Sequence, residues 1–151
     1  MDKYLLTSSL LGVSAIAFDY IGNTHSLKTS QDIRKRRAWH TANEYHIVHA
    51  AALAAVAWAI PLLQKAHGAG VHEELTPTAK NLTQALYHLT TGFWLMTAGA
   101  GGFAGSIYAL SLKIGNPMFV GPITPTSGLI LVWGWVNVGL AGLYMSAATK
   151  A

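Results

Sequence analysis

Apolar and polar positions along the chain do not alternate in short periods; they separate into long apolar stretches joined by polar ones. Four of the apolar stretches, about residues 4–21, 45–63, 89–112 and 127–148, approach or exceed the roughly 20 residues a helix needs to cross about 30 Å of hydrocarbon. Backbone N–H and C=O groups find no water there, so each stretch should satisfy itself as a helix. The expected fold is all-α, an integral membrane four-helix transmembrane bundle forming one domain over residues 1–151. Pro61 lies near the end of the second stretch, where a kink is tolerable. The first, "MDKYLLTSSLLGVSAIAF", has one lysine and reads as a retained span.

The polar connections differ in kind. Loop one, residues 22–44, is basic and predicts a short interfacial amphipathic helix. Loop two, residues 64–88, contains Thr76 followed by Pro77, an N-cap and first-turn pair that predicts a short helix leading into the third span. Loop three, "KIGNPMFVGPITPT", is rich in proline and glycine and predicts irregular structure.

Composition strengthens this picture. Charged residues are 11% of the chain and apolar ones 52%, too little charge to clothe an ordinary soluble surface. The net charge of +4 is concentrated in "RKRR", Arg34 to Arg37, beside an apolar segment and without interleaved aromatics. That placement suits a membrane flank and argues against nucleic acid as a partner. Loops one and three carry six lysines and arginines, Lys28, Arg34, Lys35, Arg36, Arg37 and Lys113, against four on the other side, which would put both termini outside. With no cysteine, disulfides and thiolate chemistry are excluded.

Small residues suggest how the spans approach one another, since apolar helices in lipid associate over small side chains. Gly101 and Gly105 in "GGFAG", Ala51 and Ala55 in the second span, and Gly134 in the fourth are the expected packing positions. The tryptophans, Trp39 among them, read as belt anchors at the membrane interface.

Several motifs resemble one family. "WHTANEYHIVHAAAL" (Trp39 to Leu53), "FAGSIYAL" (Phe103 to Leu110), "PITPTSG" (Pro122 to Gly128) and, more loosely, "GNTHSLK" (Gly22 to Lys28) look like the signatures of the transmembrane protein 256 family, also called the domain-of-unknown-function 423 family. They occur in the right order over nearly the whole chain. The resemblance implies a small four-span protein of bacterial inner membranes and mitochondria, and implies no reaction. Asn23, Thr24, Ala104 and Ser127 depart from the family's pattern, and loop two is longer than its usual connection.

Topology gathers the candidate chemistry at one end of the bundle. Asp19, His25, His46, His49, Ser106, Tyr108, Thr124 and Thr126 all fall where the first and third spans end and the second and fourth begin. As a polar network they would tie the loops to the bundle. As a metal or proton-handling site, Asp19, His46 and His49 would be the ligands, His46 and His49 sharing a helix face. Haem is disfavoured because His49 and His88 should lie at opposite membrane faces, and His40, His67 and His72 read as loop residues. No catalytic constellation is complete and no cofactor is expected beyond structural lipids such as cardiolipin. The expected role is a non-catalytic accessory subunit among other transmembrane subunits, in a respiratory-chain or ATP-synthase complex of the mitochondrial inner membrane, or in the inner membrane of a bacterium. A metal- or proton-handling protein and a small-solute channel are the rivals.

Overall fold

The computed structural model describes residues 3–22, 24, 33–69 and 76–150, and among them all regular structure is helical. Four long helices, α1 (Lys3–Ile21), α2 (Ile33–Ala69), α3 (Pro77–Ser111) and α5 (Ile123–Ala148), are joined with a single-turn helix, α4 (Pro117–Val120). The protein is an all-α membrane bundle. α1, α2 and the stretch Pro117–Ala148 are each long and apolar enough to cross a membrane. α3 falls short of that apolarity, and it packs against α2 and extensively along α5.

The helices outrun the apolar stretches. At 1.5 Å per residue the 37 residues of α2 extend about 55 Å, well beyond hydrocarbon. The interfacial helix expected in loop one is therefore no separate element, because residues 33–44 form the first turns of α2. Arginine and lysine are good helix formers, and neither proline nor glycine interrupts the chain before Pro61. The helix expected in loop two is equally continuous with its span. Thr76 caps it, its Oγ1 accepting the Ala79 N–H at 3.2 Å, with Pro77 in the first turn. His67, expected in a loop, lies in the last turn of α2.

Loop three is more regular than its composition predicts. α3 ends with Ile114 N–H donating to the Ala109 carbonyl at 2.8 Å and Lys113 in the left-handed region, φ 59°. This pairing closes off the last carbonyls, although lysine fills a place usually held by glycine. Asn116 then caps α4, accepting the Met118 N–H at 2.9 Å, and α5 starts at Ile123, four residues before the expected span. Prolines 117 and 125 stand in first turns, where a missing N–H costs no helical bond.

α3 is the core helix. Its buried positions Ala85, Leu89, Gly92, Met96 and Gly99 face Leu131, Gly134, Asn137 and Ala141 of α5, and both sets recur at steps of three and four. Such a seam keeps two helices in contact along their length. The contact is close because it is made of glycine: a Cβ on Gly99 would stand 2.8 Å from the Leu131 N, and one on Gly134 2.9 Å from the Met96 N. Leu53, Ala57 and Ile60 bring α2 against the same core.

Gly134 thus lies in a helix contact, as expected, but the other packing positions do not. Gly101 and Gly105 are exposed, and a Cβ added to either would find nothing within 4 Å; Ala51 and Ala55 also face outward. Spacing of four identifies a stripe but not the side it faces, and the seam uses Gly92, Gly99 and Gly102 instead. α1 buries Tyr4, Ser8 and Ala15 and exposes Leu10, Val13 and Ile16.

Candidate functional site

The end of the bundle where α1 and α3 finish holds most of the polar residues singled out above, divided into separate pairs and one larger cluster. Asn43, 5% exposed on α2, is the centre of the cluster. Its Nδ2 donates to Asp19 Oδ1 of α1 at 3.0 Å, and its Oδ1 accepts the Tyr108 hydroxyl of α3 at 3.2 Å. One amide therefore joins three helices, with both of its ends in use. Aromatic rings enclose it: Phe18 stacks on Tyr108 at 4.4 Å, and Trp39 lies 4.6 Å from Tyr108. Trp39 is 1% exposed and its Nε1–H donates to the Phe18 carbonyl at 3.2 Å, so it is a core residue and not a belt anchor. The indole ring lies directly against Gly22, where any Cβ would meet it.

His46 and His49 share a helix but not a partner. His46 Nε2 is 3.2 Å from Ser14 Oγ of α1, and that hydroxyl also donates to the Leu11 carbonyl at 2.9 Å. The buried Nδ1 of His46 has no hydrogen-bond partner among the described residues. His49 Nδ1 donates to the Tyr45 carbonyl at 2.7 Å, and its Nε2 accepts Trp135 Nε1–H of α5 at 3.2 Å. With Nδ1 donating and Nε2 accepting, neither nitrogen has a lone pair left for a metal. Ser106 and Thr124 pair at 2.6 Å between α3 and α5, while Thr126 bonds within its own helix to the Pro122 carbonyl.

Asp19, His46 and His49 are thus each committed to a different neighbour, and among the described residues no three His, Cys, Asp or Glu side chains gather as a metal site. His25 lies outside the described residues, as does His72. The opposite end has its own pairs. His88 Nδ1 meets Asn137 Oδ1 at 2.9 Å and its ring stacks on Tyr144, while His67 Nε2 meets Thr83 Oγ1 at 3.0 Å. Asn43, Ser14 and Asn137 were not singled out in the sequence, and Trp135 was read only as a belt anchor. For Asn43 a signal existed: a lone amide at the i−3 position to His46 on the same helix face.

What this arrangement does is bracing. Among the described residues polar bonds cross the α1–α2, α2–α3, α2–α5 and α3–α5 contacts, each worth about 0.6 kcal/mol on average and up to about 1.7 in a membrane bundle.

Comparison with known proteins bears on the same residues. The family described as "Protein of unknown function (DUF423)" matches residues 22–128, which contain Trp39, Asn43, His46, His49 and Tyr108. The UPF0382 membrane protein YwdK of Bacillus subtilis (strain 168) is 27% identical over 143 residues, covering 95% of this chain and 98% of its own. No solved structure matches.

Proposed function

This chain belongs to the DUF423 family, and on that footing we propose that it is a non-catalytic structural subunit of a larger membrane assembly. One observation carries the reading: Gly101 and Gly105, four residues apart, face outward from the core helix with open space before them. Two glycines at this spacing let a second helix approach to backbone distance, which is how helices associate where lipid removes any hydrophobic incentive. Ala51 and Ala55 offer a second, shallower track on the outer side of α2. Among the described residues the buried side-chain polar atoms other than His46 Nδ1 have hydrogen-bond partners, which suits a brace.

The partners are transmembrane helices of other subunits, with lipid covering the remainder. The host is an energy-conserving inner membrane, mitochondrial or bacterial, as the family resemblance supports, and the assembly a respiratory-chain or ATP-synthase complex. Membranes solubilised mildly and run on a native gel test it. The chain should migrate in a band far heavier than its own 16.1 kDa, with subunits of such a complex identified beside it by mass spectrometry. Migration as a free monomer would overturn the proposal.

A further inference from the structure

Three helix ends meet around a groove of about 420 Å³ on the same side of the bundle as the Asn43 cluster. The first turn of α2 supplies Arg34 and Lys35, the last turns of α3 supply Ile107, Leu110 and Ser111, and the first turn of α5 supplies Thr124. Ala38 completes the floor. Chemically the groove has two parts: two cations at its rim, and an aliphatic floor beside them. Pro122, the residue before α5, contributes no capping side chain, so the positive end of a 26-residue helix also opens on this side.

Position relative to the bilayer decides the occupant. Ile107 and Leu110 belong to the stretch of α3 that runs with the membrane-crossing helices, so the cations stand where that stretch leaves hydrocarbon. A free phosphate ion would gain from Arg34 and Lys35 but nothing from the aliphatic floor. A neutral lipid would gain from the floor but nothing from the cations. The geometry points to a binding site for an anionic glycerophospholipid, its phosphate held by Arg34 and Lys35 and the start of an acyl chain lying over Ile107 and Leu110. Guanidinium groups take phosphate oxygens in pairs, and basic pockets between membrane helices favour anionic headgroups. Arg36 and Arg37 continue the charge but do not line the groove, which makes them an internal control.

The test uses the purified full chain in mild detergent, offered equal amounts of phosphatidylglycerol and phosphatidylcholine, with retained lipid read by native mass spectrometry. Phosphatidylglycerol should be retained about 25-fold over phosphatidylcholine, the two basic residues each being worth about one factor of five. R34Q/K35Q should abolish that preference, while R36Q/R37Q keeps most of it. Inorganic phosphate should displace the lipid no better than chloride at equal ionic strength. Equal retention of the two lipids by the unaltered chain would overturn the site, and that comparison stands even if a variant misfolds. So would equal losses in both double variants, which would mean diffuse charge, or displacement by inorganic phosphate, which would mean a simple anion site.

Discussion

α3 is held in two opposite ways along its length. Toward α5 it presents glycine, alanine and methionine, and the backbones come so close that a single added carbon has nowhere to go. Toward α1 and α2 at its C-terminal end it presents Tyr108, and the contact is made by stacked rings and by the amide of Asn43. The first contact depends on what is missing from the side chains, and the second on what they carry. In lipid both are needed, because dispersion over close backbones and hydrogen bonds between helices replace the hydrophobic effect. The contrast also explains why a helix that falls short in apolarity can be the central one. Its buried glycines and serine face protein, so it needs little lipid-facing surface.

The two contacts should fail differently. Gly99→Leu pushes carbon into the Leu131 backbone and should destabilise the bundle by about 3 kcal/mol or more, at the upper end of overpacking costs. Loss of helical signal at lower denaturant than the unaltered protein would check it; an unchanged midpoint would show that α5 can move away freely. Asn43→Ala leaves both Asp19 and the Tyr108 hydroxyl without their partner and should cost about 1–2 kcal/mol. The effect should be local, with faster amide hydrogen exchange in α1 and little change in α3 and α5. Trp135→Phe removes one donor to His49 and should cost only about 0.6 kcal/mol, measured as a small shift in the same unfolding curve. Gly105→Leu, though it adds the most bulk to a family motif, should leave stability within about 0.5 kcal/mol, because the added side chain meets open space.

The four long helices were legible in the sequence, because hydrocarbon thickness imposes a length that apolar stretches reveal. The cap at Thr76 was legible too, since threonine followed by proline has a local mechanism. The true ends of α2 and α3 were not visible in the apolar pattern, as arginine, lysine and threonine continue a helix without announcing it. Gly101 and Gly105 drew attention by spacing alone, whereas the working seam, 85–89–92–96–99, mixes residue types and shows only as a repeat of three and four. At the mouth, topology brought the right residues to one end. Which of them would touch depended on side-chain rotamers and helix rotation, so Asn43 became the hub and His49 turned to Trp135 instead of Asp19.

The outward glycine pair is the point on which the subunit reading turns, and Gly105→Leu separates folding from assembly. Native-gel migration of the unaltered chain and this variant, drawn from the same mildly solubilised membranes, is the direct measurement. The unaltered chain should travel in a heavy complex, and the variant should be folded but run free of it. Co-migration of both at the same heavy position, or of both as free chains, would contradict the outer face of α3 as the place where this protein meets its partners.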